Sequence, residues 1–338
     1  MKNVSPRKRA NLRDVAAAAN VSVATVSRVM NAPQTVAEAT RKRVEDAMAD
    51  LRWVPSAAAR AINSGRTRFV GALVPTLEHD IFARVLASLE SQLALHRLSL
   101  IVATTQGDPD IETQKAKALI DIGAEGLIIS GTTHAPEFHA LIEHSQIPTV
   151  ATSVFDPDYS LPTIGYDNAG AAQAALAHLT DLGHCDIAVI HGPSASNDRT
   201  AERVEALRAT AIEGTMTFFE TPLTIAGGGL AARAALQSGR EHTAFLCLSD
   251  VLATGALYEM HRAGLQIPRD KSIIGTDDLP GSAHLYPALT TVHLPVARMG
   301  LAAADAIAGW LETQIVPEVV MLDFDLRVRE STAPPRSG

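Results

Sequence analysis

Apolar residues recur at helical spacing near the start of this chain and gather into short unbroken runs after it. Between Asn11 and Ala19, Leu12, Val15, Ala16 and Ala19 stand at i, i+3, i+4 and i+7, the spacing of a helix with one apolar face. Asn11 precedes the run as an N-cap candidate, and Asp14 falls in the positive first turn. Asn20-Val21-Ser22 breaks the pattern. Asparagine tolerates a left-handed backbone and turns the chain as glycine would. Ser22 then caps a second predicted helix, Val23 to Met30, with Val26, Val29 and Met30 inward. Val44, Ala47, Met48 and Leu51 repeat the spacing and predict a third helix, and Thr35-x-x-Glu38 has the spacing of a capping box at its start. A helix, a tight turn and a second helix form a helix-turn-helix unit. Three such helices bury a small core, enough for a marginal domain of about fifty residues.

Beyond Arg68 the period changes. Phe69–Val74, Ser99–Ala103, Gly126–Ile129 and Pro148–Ala151 read as buried parallel strands, with helices predicted at Phe82–Leu95 and at Glu112–Ile122, the latter with Ala116, Leu119 and Ile120 inward. A second set begins near Asp167, with strands at Ile187–Ile190, Ala244–Leu248 and Ser272–Gly275. This alternation predicts two doubly wound α/β lobes, with a ligand site between them at the carboxyl ends of the strands. Gly227-Gly228-Gly229 reads as a flexible turn, and no Lys-Ser/Thr follows it to make a phosphate loop.

Charge adds a partner to this picture. The 338 residues carry a net charge of −8, but residues 1–68 hold 13 Lys and Arg against five acids, which makes that segment +8 and the remainder −16. A basic head on an acidic body points to a polyanion for the head alone; a solvated basic arm is the bland alternative. The second helix says how the polyanion would be read. Its outer face offers Val23, Ala24, Thr25, Ser27 and Arg28. Small residues at its start let a helix enter a major groove, where Val23 and Ala24 can touch thymine methyls and Arg28 can donate two hydrogen bonds to a guanine. Thr25 and Ser27 suit phosphate contacts.

Hydrophobic content of 46% and charged content of 20% fit a soluble globular protein of two or three domains. No apolar run reaches the ~18–20 residues of a membrane span, and the basic, polar N-terminus does not read as a signal peptide, so the expectation is a cytoplasmic protein with no membrane partner. Cys185 and Cys247 lie in apolar stretches and read as reduced, buried thiols. No metal-ligand spacing, dinucleotide fingerprint or nucleophile–base motif occurs, so neither a cofactor nor an enzyme is expected.

Leu12-Arg13-Asp14-Val15-Ala16, followed by Val21-Ser22-Val23-Ala24-Thr25-Val26-Ser27-Arg28-Val29-Met30-Asn31, resembles the DNA-binding signature of the lactose-repressor (LacI/GalR) family. The likeness runs on through Thr40-Arg41-Lys42-Arg43-Val44 and Trp53-Val54-Pro55-Ser56-Ala57-Ala58-Ala59-Arg60-Ala61. Asn20 replaces a common Gly of the turn, and Ala37 stands where the family often has a capping Ser, which leaves Thr35 to cap the third helix. The resemblance implies DNA contacts from Leu12, Ser22, Asn31, Thr40 and Ala59 besides those of the second helix. Pro55–Ile62 is alanine-rich and about two turns long, too short to stand alone in water. The resemblance implies a hinge helix that orders in the operator's minor groove beside its copy in a dimer. Ile62 would be the apolar wedge that kinks a base step, and Asn63 would touch the groove floor.

The acidic body resembles the sugar-binding fold of periplasmic proteins from about Arg68 to Glu330. Leu77, Glu78, His79 and Phe82 follow the first strand, and Phe82 can stack on a ligand ring or fill the core. His79-Asp80-Ile81-Phe82 departs from the family's usual Asn-Pro-Phe-Phe. Arg203 aligns with an effector-clamping arginine, whose planar guanidinium holds two oxygens at once. Asp277 aligns with an acid that accepts ligand hydroxyls, and Ser249-Asp250 stands where Asn-Asp is common. Arg199 can assist or pair at the surface, and His184 reads as structural.

The expected architecture is an all-α helix-turn-helix head plus an α/β periplasmic-binding-protein-like body of two doubly wound lobes. Residues 10–54 form the head and 55–67 the hinge and linker. Residues 68–332 form the body, with lobes at about 68–165 with 294–322 and 166–293 with 323–332. The expected function is a ligand-responsive, sequence-specific repressor of sugar or sugar-acid catabolic genes. Its partners would be double-stranded palindromic operator DNA, a second copy of the chain and an effector that is a sugar, sugar acid or nucleobase. The last residues show no heptad repeat, so a dimer is expected rather than a tetramer. A periplasmic-type solute-binding protein without DNA function is the alternative.

Overall fold

The structure, a computed structural model, describes residues 10–53, 66–210 and 215–336, with Asn31 described for its backbone alone. The chain divides into two compact units, residues 1–68 and 69–338.

In the first unit, helix α1 (Leu12–Ala18) starts on a reciprocal cap. The Asn11 side chain accepts from the Arg13 and Asp14 N–H groups at 2.8 and 3.2 Å, and the Asp14 carboxylate accepts from the Asn11 N–H at 2.8 Å. Both ends of the cap satisfy donors that a helix start leaves open. The helix stops at Asn20, whose φ of 52° lets the Val21 N–H return to the Ala16 carbonyl at 3.0 Å and the Asn20 N–H to Ala17 at 3.2 Å. Ser22 caps helix α2 (Val23–Asn31) by accepting from the Thr25 N–H at 3.1 Å. Helix α3 (Glu38–Asp50) completes a core of Val15, Ala16, Ala19, Val26, Val29, Val44 and Ala47.

Two expectations for α3 fail. Thr35 does not cap it: the N-cap is Ala37, which makes no side-chain hydrogen bond. Pro33 starts a 3₁₀ turn, Pro33–Thr35, and the Thr35 hydroxyl donates to the Ala32 carbonyl at 2.7 Å instead. The turn takes up the residues that the capping box needed, so Glu38 is the first helical residue rather than the third. Leu51 is not inward; it forms the C-cap and is exposed.

The second unit holds two sheets. The first contains β1 (Phe69–Val74), β2 (Ser99–Thr104), β3 (Ala124–Ser130), β4 (Thr149–Thr152), β5 (Thr163–Gly165) and β11 (Val320–Met321), in the order β11-β5-β4-β3-β1-β2. The second contains β6 (Ile187–His191), β7 (Met216–Glu220), β8 (Ala244–Cys247), β9 (Ser272–Asp277), β10 (Thr290–His293) and β12 (Asp325–Arg327), in the order β12-β10-β9-β8-β6-β7. Every pairing is parallel except β10 with β12. Parallel strands need helical crossovers. In the first lobe these are α4 (Asp80–Leu95), α5 (Pro109–Asp121) and α6 (Pro136–Ser145). In the second they are α7 (Asn168–Asp181), α8 (Asp198–Thr210), α9 (Ile225–Gln237) and α10 (Asp250–Arg262). Helix α11 (Val296–Thr313) follows β10 yet packs on α4 and the first sheet. The chain therefore passes between lobes after β5, after β10 and between β11 and β12. In both lobes the strand order reverses beside the first strand, and a crevice opens at that point above the carboxyl ends.

Two further readings are corrected. Gly227-Gly228-Gly229 is not a turn but the first part of α9. These glycines let α9 lie against α10: a Cβ on Gly228 would collide with the Leu252 carbonyl, and one on Gly255 with the Ile225 carbonyl. Helix–helix approach, rather than chain reversal, explains the triplet. Of the two thiols only Cys247 is buried; Cys185 is exposed just before β6. His184 is buried and bridges the Thr243 hydroxyl and the Ala333 carbonyl, each at 2.9 Å, a structural tie between β6 and the C-terminal segment.

Candidate functional site

The head offers one face of α2. Val26 and Val29 point into the core, so the successive turns opposite them expose Ser22, Val23, Ala24 and Arg28, with Thr25 and Ser27 half-buried. Val23 is 41% exposed, unusual for a valine in a small domain and free to meet an apolar group. The Ser22 and Thr25 hydroxyls lie 2.9 Å apart and share the helix cap. Leu12 is half-buried against the core, and Thr40 is half-buried on α3. For Asn31 only the backbone is described, and Ala59, Ile62 and Asn63 lie outside the described residues.

The body offers a cleft between the lobes. His79 and Phe82 come from the start of α4, Arg203 from α8, Ser249 from the N-cap of α10 and Asp277 from the end of β9. His79 and Phe82 stack with their ring centroids 6.3 Å apart, which makes a flat aromatic wall on the first lobe. Leu77 is 57% exposed and does not line the cleft. Its side chain belongs to the loop surface after β1.

On the opposite wall Arg203 is buried. Its Nε donates to Asn168 Oδ1 at 3.0 Å and a terminal nitrogen donates to the Leu248 carbonyl at 3.2 Å. Both partners are neutral, so the guanidinium is held in place without a carboxylate hydrogen-bonded to it. Asp277 faces the same space, with its carboxylate accepting from the Ser249 hydroxyl at 2.9 Å. Its φ of 117° is a backbone conformation that side chains rarely adopt, the kind of local strain that gathers at binding sites. Burial raises the Asp277 carboxyl well above the usual carboxylate range, against the opposing pull of Arg203 and Ser249. Asp250 behind it is raised likewise, by burial first and by the Asp277 charge second. Its oxygens accept from Ser282, Thr291 and the Leu279 N–H at 2.5–2.9 Å, which fixes the loop after β9.

Several cleft residues escaped the sequence reading. Tyr166 is buried in it, one residue after β5, and Asn197 and Thr200 line it from the start of α8. Position after a strand was the available signal, but β5 is too short to announce itself. Arg199 lines the cleft and pairs with Asp198 at 2.9 Å rather than reaching the surface alone. Asp198 in turn accepts from the Thr132 and Thr133 N–H groups of the first lobe at 2.6 and 3.1 Å. Burial pushes its carboxyl up, but Arg199 and the backbone donors outweigh burial and leave it below its ordinary value.

Comparison with known proteins places this arrangement. Residues 11–56 match the family of bacterial regulatory proteins, lacI family, and residues 176–332 match the periplasmic binding protein-like domain. The HTH-type transcriptional repressor CytR of Escherichia coli (strain K12) is 32% identical over 343 residues, covering 98% of this chain and 99% of that protein. The HTH-type transcriptional repressor PurR of Aliivibrio fischeri (strain ATCC 700601 / ES114) is 32% identical over 309 residues, covering 88% of this chain and 90% of that protein. The crystal structure of the lac repressor dimer bound to operator and the anti-inducer ONPF superposes with a TM-score of 0.87 at 25% identity, covering 96% of this chain and all of that one. A full-length match to DNA-binding repressors removes the solute-binding alternative and the enzyme reading together.

Proposed function

The chain belongs to the lacI family of bacterial regulatory proteins and is a ligand-responsive DNA-binding regulator, and from that premise we propose how its own residues divide the work. Helix α2 reads the operator. The observation that carries this is its split face, with Val26 and Val29 buried and Val23, Ala24 and Arg28 exposed together. Val23 and Ala24 meet thymine methyls, Arg28 reads a guanine, and Ser22, Thr25, Ser27 and Thr40 approach phosphates. The hinge at 55–67, with Ala59, Ile62 and Asn63, enters the minor groove. Two copies bind one palindromic site in the cytoplasm, with two heads for two half-sites. Ile225, Leu230 and Tyr258 are exposed together on α9 and α10, an apolar patch suited to contact between copies.

The cleft takes the effector. Arg203 and Asp277 hold oxygens of a small polar ring, a sugar, sugar acid or nucleobase, while His79 and Phe82 cover its face and Ser249 orients Asp277. The genes controlled are then catabolic genes for such compounds.

Operator selection from random duplexes, followed by anisotropy titration, tests the DNA side. The wild-type chain should select a palindrome and lose affinity steeply as salt rises. Arg28→Ala should lose about 1–3 kcal/mol of discrimination at one base pair of each half-site while keeping salt-dependent binding. Undiminished selectivity in that variant removes α2 from the reading role. A thermal-shift screen of sugars, sugar acids and nucleobases tests the cleft, and Arg203→Ala should abolish the shift produced by any hit.

A further inference from the structure

A second chamber adjoins the cleft in the first lobe, and the effector reading above leaves it unused. It encloses about 190 Å³ against about 130 Å³ for the cleft proper. Pro75 and Arg199 line both, so the two spaces meet beneath the Arg199 guanidinium. A single ring held by Arg203 and Asp277 would therefore leave the larger space empty.

The chamber's walls are polar and specific. It lies over the carboxyl ends of β1 and β3 and the start of α5, and Asp198 closes it from the second lobe. Glu112 of α5 is buried, with one carboxylate oxygen 2.6 Å from His134 Nδ1. His134 is itself held by the Gly131 carbonyl at 3.2 Å, so the pair is a fixed feature of the wall. Ser130, the last residue of β3, presents a buried Oγ with no hydrogen-bond partner. A native interior rarely leaves a hydroxyl so, because the lost hydrogen bond costs about 1–3 kcal/mol. Thr105 and Thr133 add further hydroxyls.

The charge on these walls selects among ligands. Asp108, Glu112 and Asp198 are acids, and the one cation lining the chamber, Arg199, is already paired with Asp198. A phosphate or carboxylate placed there would face Asp108 and Glu112 without a free cation. A neutral group rich in hydroxyls meets acceptors in the carboxylates and a donor in Ser130.

We propose that the effector is a neutral two-ring glycoside, with one ring between the aromatic wall and Arg203–Asp277 and a second, hydroxylated ring in the Glu112–Ser130 chamber. This rests on the effector-cleft reading and narrows it. A disaccharide and a nucleoside both carry that chemistry, and they are separated by choice of probe.

Isothermal titration calorimetry on the full chain supplies the test, with D-glucose against cellobiose and with D-ribose and adenine against adenosine. In one of the two sets the two-ring compound should bind at least tenfold tighter than its single rings; the cellobiose set marks a disaccharide, the adenosine set a nucleoside. Glu112→Gln should collapse that ratio towards one. Ser130→Ala, a milder change that leaves the Glu112–His134 pair in place, should lower it several-fold. Single rings that bind as tightly as the two-ring compounds overturn the proposal, as does a ratio that survives both variants. If none of the five compounds binds, the glycoside assignment falls. The effector reading is judged separately, by whether any hit of the thermal-shift screen loses its shift in Arg203→Ala.

Discussion

Asp277 joins conformation, charge and chemistry in one side chain. Its carboxylate can accept a ligand hydroxyl only when ionised, and burial raises its pKa into mildly acidic territory. Protonation removes an acceptor, so effector affinity should fall as pH is lowered from 8 to 5, and binding at pH 5 should release protons. Stability of the empty body carries the opposite sign. A raised folded-state pKa means the folded chain holds the proton longer than the unfolded one, so this group's contribution is fully present below its unfolded value and is lost as pH rises through the raised one. Calorimetry in buffers of different ionisation heat reads the first effect; an affinity flat between pH 8 and 5 would remove Asp277 from hydroxyl recognition. Residues such as Asp277, Arg203 and Phe82 were legible because each follows a strand or opens a helix in a motif whose chemistry is explicit. Leu77 was not, because sequence places a residue after a strand without saying which way its side chain turns. Asn20 could be read in full, since a left-handed turn needs a residue that tolerates it and nothing distant decides the matter.

At the scale of elements, local signals succeeded where local physics is sufficient. Six-residue apolar runs such as Phe69–Val74 announced their strands, and capping residues announced α1 and α2. The thin strands were illegible: β10 is Thr290-Thr291-Val292-His293, polar in sequence yet mostly buried, because its neighbours β9 and β12 supply its environment. The glycine triplet in α9 shows the same limit. Helix propensity argues against three glycines in a row, each costing about 1 kcal/mol relative to alanine. Tertiary approach overrides that preference, because α10 lies where their side chains would be. Gly228→Ala should therefore destabilise the body despite its better helix propensity, by about 1–3 kcal/mol, the range for overpacking against rigid backbone. Gly229→Ala is the control. Its Cβ would meet the Gly255 carbonyl at 3.4 Å, an ordinary contact, and chemical denaturation should find it near neutral or stabilising. If both variants melt alike, close packing of α9 on α10 is not what the triplet serves.

Across the whole body, each ligand-facing residue has a close partner that grips the opposite lobe. Arg199 follows Asp198, which accepts from Thr132 and Thr133. Arg203 holds Asn168, whose amide donates to the Ser153 carbonyl at 2.9 Å. Asp277 precedes Asp278, whose carbonyl accepts from Arg84 at 3.1 Å. None of this was visible in sequence, since the three pairs join residues that only the chain's crossings between lobes bring together. A ligand that settles between the walls therefore acts on the same elements that hold the lobes closed, and it shifts their balance by its differential affinity for the closed form. Asp198→Ala isolates that coupling, because Asp198 grips the other lobe directly. Hydrogen bonds to a charged group contribute about 1.5–3 kcal/mol. Removing these should open the lobes and weaken effector binding by about tenfold or more, as the competent form becomes rarer. Operator affinity of the effector-free variant should then move opposite to the change that effector causes in the wild type, whichever direction that is. Both shifts together identify Asp198 as a closure latch. A variant with weaker effector binding and unaltered operator affinity would make it a local prop of Arg199 instead, and the link from cleft to operator would have to run through the Asn168 or Asp278 bridges.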